Sequence, residues 1–206
     1  MKIGVYGSSF DPITNVHLWT ASTICHRKRL DHVIFLPSSS KRRDKDLHIS
    51  DKHRVKMIEM AIRDNPKFEL NTYELTASIG KFHTYFTMEH LSKEYLNAEL
   101  YFIMGADILA DIADGKWAYS EELVKNHKFI VMARDGIDML ATIARSSMLR
   151  NYDHDGRFEL VDKGLSMEIS STYIREEFYR GGEPRYLLPD ECYHYIKENN
   201  LYRESY

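Results

Sequence analysis

Two stretches of small and hydroxylated residues carry the chemistry that can be read first from this chain. The first runs Gly7-Ser8-Ser9-Phe10-Asp11-Pro12-Ile13-Thr14-Asn15-Val16-His17, between an apolar run ending at Tyr6 and a helical pattern starting near Val16. A loop of small residues exposes backbone N–H groups, and a helix start adds donors with no partner inside the helix; both favour a polyphosphate. His17 falls in the first turn of that helix, where its ring could donate to a phosphoryl oxygen. Taken alone, such a loop is about as often a plain strand end, with Thr14 as a cap and His17 on the surface.

The second stretch, Ile169-Ser170-Ser171-Thr172-Tyr173-Ile174-Arg175, puts hydroxyls at another helix start and a cation about one turn further on. A serine-threonine cluster by itself is more often only a cap. Other chemistries have little support. No Ser-His-Asp or Cys-His arrangement is evident. The histidines lack HExxH spacing, and His48 and His53 are five apart, off the interval that shares a helix face. Cys25 and Cys192 lie far apart without metal spacing and read as packing residues.

The elements that must position these loops alternate in kind. Lys2 to Tyr6 reads as a buried strand, His32 to Leu36 as another closed by Pro37, and Asp51 to Arg63 as a helix with Ser50 as its cap. A strand near Phe68 to Leu75 precedes a helix from Thr84 to Tyr95. Leu100 to Met104 is an apolar run stopped by Gly105, an irregular stretch follows, and Lys128 to Ala133 is a further strand. The last third reads as a short strand at Phe158 to Val161, a helix opening at Ser170 to Thr172, a loop at Gly181 to Arg185, and a final helix from Pro189 to Asn199. Strands that are nearly all apolar, alternating with helices, predict an α/β fold: a mostly parallel, doubly wound sheet with helices on both faces and a small helical C-terminal part. Ligands in such sheets bind at the carboxyl ends of the strands.

Composition sets the limits. The formal net charge of -3 speaks against coating nucleic acid, which needs clustered cations. Hydrophobic residues at 43% fit a globular enzyme that buries a core, and the 206 residues are expected to form one domain spanning the whole chain. The opening residues lack a secretory pattern and no run approaches a membrane span, so a cytoplasmic protein without membrane contact is expected.

With both loops in view, the chain resembles the nicotinate-nucleotide adenylyltransferases of bacterial NAD synthesis, in the nucleotidyltransferase superfamily, over nearly its whole length. The family's GGxFDPxHxGH appears as GSSFDPITNVH, and its ISSTxIR stands unchanged from Ile169 to Arg175. Between them lie Lys41 after the second strand, His53-Arg54 with Met57, Gly80 to Met88 with Thr84 on the family threonine, Gly105-Ala106-Asp107 with Trp117 downstream, and Arg134 after the next strand. The ending, Tyr186 to Pro189 through Leu201-Tyr202, is also similar. Thr14 replaces the family's first histidine, Val16 its glycine, and Phe82-His83 its Ser-Tyr.

The resemblance implies a Rossmann-like fold and transfer of AMP from ATP to nicotinate mononucleotide, with Mg²⁺ carried on the phosphates. It assigns His17, Thr14, Lys41 and Arg175 to the reacting phosphates. ATP is expected against Gly7, Ser8, Ser9, Phe10, His17, Gly105, Asp107, Ile169, Ser171, Thr172 and Arg175. The pyridine nucleotide is expected against Ser9, Phe10, Lys41, Thr84, Trp117 and Arg134. Because the attacking phosphate is already an anion, alignment and charge neutralisation carry the catalysis, and no strong base is needed. Arg42 and Arg43, in the run Lys41 to Lys45, read as solvated loop residues. Other acceptors stay open at this point, nicotinamide mononucleotide or a different phosphate, as does a nucleotide-binding sensor suggested by Val16. A homodimer is compatible with the reading.

Overall fold

A computed structural model describes residues 1–42, 45–78, 80–81, 83–162 and 169–203. Six parallel strands, β1 (Lys2–Ser8), β2 (His32–Pro37), β3 (Phe68–Leu70), β4 (Glu99–Gly105), β5 (Lys128–Met132) and β6 (Phe158–Val161), form one sheet in the order 3-2-1-4-5-6. The order reverses between β1 and β4, where Val5 pairs with Ile34 on one side and Phe102 on the other. At that reversal the connecting helices leave to opposite faces, which opens a crevice beyond the strand ends.

Each face buries its own apolar cluster, so the strands are hydrophobic on both sides. Helices α1 (Asn15–Arg27) and α2 (Asp51–Ile62) cover one face together with the C-terminal helices α9 (Ser171–Tyr179) and α10 (Asp190–Glu198), through Phe10, Ile24, Met57, Ile174 and Ile196. The other face packs α4 (Thr84–Glu94), α5 (Ala106–Ala113), α6 (Ser120–Asn126), α7 (Met139–Arg145) and α8 (Ser147–Tyr152), through Met88, Leu109, Leu123, Ile143 and Leu149. The α/β reading and the helices on both faces are borne out.

Several local expectations are corrected. The strand expected to reach Leu75 stops at Leu70, because the Asn71 side chain accepts the Tyr73 N–H at 2.9 Å and turns the chain into a four-residue helix, α3 (Tyr73–Thr76). The stretch after Gly105, expected to be irregular, holds α5 and α6. Ala106, Leu109 and Ile112 recur at three-residue spacing on the buried side of α5, and Gly115, at φ 70°, follows its end. Helices α7 and α8, which the sequence reading passed over, are capped by the side chains of Asp138 and Ser146. Both cysteines are buried and free, as expected of packing residues; burial pushes the Cys192 thiol up to about 12. Among the described residues no helix is long and apolar enough to cross a membrane.

Candidate active site

The loop after β1 enters α1 through Thr14, whose extended backbone (φ -125°, ψ 163°) marks it as the N-cap. Its hydroxyl accepts the His17 N–H at 3.4 Å, and the His17 ring returns the contact: Nδ1 accepts the Thr14 N–H at 3.0 Å and lies 2.9 Å from the Thr14 hydroxyl. This is a capping box in which an imidazole does the work usually given to glutamate. With Nδ1 as acceptor, the neutral ring carries its proton on Nε2, the atom left to serve a ligand. Burial, with the Arg134 charge adding to it, lowers the His17 pKa to about 4, so the ring is a neutral donor at physiological pH. Phe10 packs its ring on His17 at 5.0 Å between centroids and is fully buried, so what Phe10 can offer a nucleotide is backbone.

Helix α9 is capped by Ser170, whose hydroxyl accepts the Tyr173 N–H at 3.2 Å. Two hydrogen bonds then fasten this helix start to the first loop. Ser171 donates to the Pro12 carbonyl at 2.8 Å, and Arg175 donates to the Asp11 carbonyl at 2.7 Å while its other nitrogen reaches the Thr172 hydroxyl at 3.1 Å. The two sequence stretches, more than 150 residues apart, thus meet at one place, as a shared phosphate cradle requires. Ile169 lies beside them, partly buried against the same core cluster.

Arg54, on α2, is the brace that the sequence reading did not isolate. It is fully buried and donates to the Ser9 carbonyl and the Ser38 carbonyl, each at 2.6 Å, and to Asp51 at 2.5 Å. One guanidinium therefore ties the loop after β1 to the loop after β2. A planar fork with several donors suits this task, which a lysine point charge could not repeat. Asp11 was quoted only as part of the FDP motif, yet its buried carboxylate is also fully engaged, by the Tyr202 hydroxyl at 2.6 Å and the His48 N–H at 2.7 Å.

At the end of β4, Gly105 caps α5. A side chain there would meet the Asp107 carboxylate, 2.2 Å from where Cβ would stand, and the Arg134 stem at 3.3 Å. The glycine is what lets Asp107 fold back beside Arg134, with 3.7 Å between the charged groups. One Asp107 oxygen is buried with no hydrogen-bond partner, an acceptor without a donor. Gly7, Ser8, Gly105 and Arg134 all stand at the carboxyl ends of β1, β4 and β5, on either side of the strand-order reversal.

Lys41 is exposed, and its ammonium rests on the Ala77 carbonyl at 3.1 Å. Arg42 does not behave as a solvated residue: its side chain is 12% exposed and lies 4.0 Å from buried Glu74, which in turn accepts the Thr87 hydroxyl at 3.0 Å. The buried carboxylate draws Arg42 inward, a signal invisible in a run of charges. Arg43 and Phe82 lie outside the described residues. Thr84 opens α4 and is buried. Trp117 is half-buried with its ring 6.3 Å from Phe102, and close by in sequence Tyr119 meets Tyr85, Phe86 and His83 at 4.8 to 5.9 Å, forming an aromatic patch.

The chain matches a family model described as cytidylyltransferase-like over residues 5–177. It is 36% identical over 204 residues to the "Probable nicotinate-nucleotide adenylyltransferase" of Clostridium tetani, covering 98% of this chain and 99% of the relative. It is 32% identical over 203 residues to the nicotinate-nucleotide adenylyltransferase of Bacillus subtilis, covering 98% of each. Among solved structures it resembles that of Plasmodium falciparum nicotinic acid mononucleotide adenylyltransferase complexed with NaAD, at TM-score 0.77 and 24% identity over 98% of this chain and 97% of the other, which shows the shared fold.

Proposed function

The chain belongs to the nicotinate-nucleotide adenylyltransferase family, and on that premise we propose that it transfers AMP from ATP to nicotinate mononucleotide, releasing pyrophosphate and forming deamido-NAD. The observation that carries this reading is the fastening of α9 to the loop before α1 through Ser171 and Arg175, which sets two helix starts against one another. Two adjoining helix starts, each with N–H donors, suit a triphosphate.

In the reaction a 5′-phosphate oxygen of the mononucleotide bonds to the α-phosphorus of ATP, and the bond from that phosphorus to the bridging oxygen of pyrophosphate breaks. The nucleophile is already deprotonated, so the burden is to hold two anions together and stabilise charge in the transition state. His17, neutral and with its proton on Nε2, donates to an α-phosphate oxygen. Thr14 holds that ring in place, and Arg175 and Lys41 neutralise the phosphates. Mg²⁺ bound with the polyphosphate would supply further charge neutralisation there, and Lys41 and Arg175 would hold the phosphates that carry it. Asp107, with an unpartnered oxygen, accepts from a nucleotide hydroxyl or amine, while Gly7 to Phe10 and the start of α9 surround the ATP. Trp117, Thr84 and Arg134 are the residues proposed for the pyridine nucleotide. The cytoplasm, where ATP is made and spent, is the proposed place of work.

Purified protein mixed with ATP, Mg²⁺ and nicotinate mononucleotide is expected to release pyrophosphate and form deamido-NAD, faster than with nicotinamide mononucleotide. Nucleotide binding without turnover on either acceptor would overturn the proposal.

A further inference from the structure

The last described turn of the chain reaches back to the first loop. Tyr202, 2% exposed, donates its hydroxyl to Asp11 at 2.6 Å across 191 residues. The other Asp11 oxygen accepts the His48 N–H at 2.7 Å and faces its ring nitrogen at 3.3 Å, and the Asp11 carbonyl accepts Arg175. One buried residue thus joins four segments: the loop before α1, the segment between Lys41 and α2, the start of α9, and the C-terminal turn.

Both ends of this contact hold costly backbone. Phe10, next to Asp11, sits at φ 46° and Tyr202 at φ 59°, in the left-handed region that bulky side chains avoid. The ring of Tyr202 also packs on Phe178, centroids 6.4 Å apart, so ring packing and hydroxyl contact are separable. Burial, followed by the charge and hydrogen bond of Asp11, raises the pKa of the phenol well above its ordinary value, so it stays a donor. Packing needs only the ring; a hydroxyl aimed at a carboxylate inside the phosphate loop implies placement.

We propose that Tyr202 is a positioning residue: its hydroxyl, through Asp11, sets the loop from Ser9 to Thr14 and with it the cap that orients His17. This rests on the adenylyl-transfer reading above, in which that loop and His17 hold the ATP phosphates. Tyr202 touches no reacting atom.

Tyr202→Phe keeps the ring and removes the oxygen. In the full-length protein its expected effects are a fall in kcat of about tenfold, with KM for both substrates within about twofold of the parent, well below the unfolding midpoint. Amide hydrogen exchange of the free protein is expected to quicken about tenfold at His48 and between Ser9 and Thr14. Tyr193→Phe is the control, since that hydroxyl meets Lys197 and not the loop, and both readouts should stay at parental values. Parental exchange in the loop of Tyr202→Phe, or a parental kcat in an active enzyme, overturns the inference. A parent that turns over no substrate instead strikes the function reading, and the exchange measurement still decides this one.

Discussion

The His17 ring and the Thr14 backbone are locked together, Nδ1 accepting the Thr14 N–H at 3.0 Å, so the imidazole presents its proton from Nε2. The residue proposed to meet the α-phosphate is oriented by the residue that caps its own helix. At the position of Thr14 the family pattern has histidine; here a threonine supplies the cap and leaves the second histidine as the sole imidazole of the motif.

Replacing His17 removes both the donor and half of the cap. His17→Ala is expected to cut kcat roughly a hundredfold, the value of about 3 kcal/mol for one such donor, and to lower stability by about 1 kcal/mol through the cap. Steady-state pyrophosphate release and urea unfolding measure the two effects. Near-parental kcat would remove His17 from the chemistry.

The same ring has a pH signature. Its folded pKa of about 4 lies below the ordinary 6.5, so the unfolded chain takes up this proton first as pH falls. From this group stability is therefore fully present above pH about 6.5, declines as pH drops toward 4, and changes no further below it. The His17 Cε1 proton followed by NMR should titrate near the lower value, and kcat should show no inflection from His17 between pH about 6 and 8. A midpoint near 6.5 would contradict the partly buried, neutral donor.

Arg54 is predicted to matter for stability. Arg54→Met leaves the Ser9 and Ser38 carbonyls and Asp51 without their shared donor, and a loss of about 3–5 kcal/mol is expected on removing one partner of a buried charged network. Denaturant unfolding tests this. A loss under about 1 kcal/mol would mean that the two loops are held by other contacts.

Gly105→Ala should spare the fold and damage the site. The glycine backbone lies in an ordinary region, φ -80°, so the added methyl meets only the movable Asp107 carboxylate and the Arg134 stem. The thermal midpoint is expected to stay within about 3 °C, while KM for ATP rises about tenfold as Asp107 is turned out of place. An unchanged KM would detach Asp107 from nucleotide binding.

Much of this was legible in the chain because it is written locally. An apolar run marks β1, β2, β4 and β5 wherever each lies in the sheet, and the caps at Thr14 and Ser170 are set by neighbours within three residues. Errors arose where local cues compete. The turn at Asn71 cut a plausible strand short, and the helices after Gly105 are only eight and seven residues long, too short for a helical period to stand out.

What the sequence alone determined is the kind of fold, the family, and the two loops proposed to hold phosphate, since these depend on periodicity and on residue order within short windows. Only the tertiary structure decided the buried contacts around them: Arg54 tying the loop after β1 to the loop after β2, Arg42 drawn toward Glu74, Tyr202 closing on Asp11. A buried arginine in a polar helix is spelled like a surface one. Its partners are chosen by the packing of distant segments, and the low-dielectric surroundings that make those partners obligatory exist only once the chain has folded.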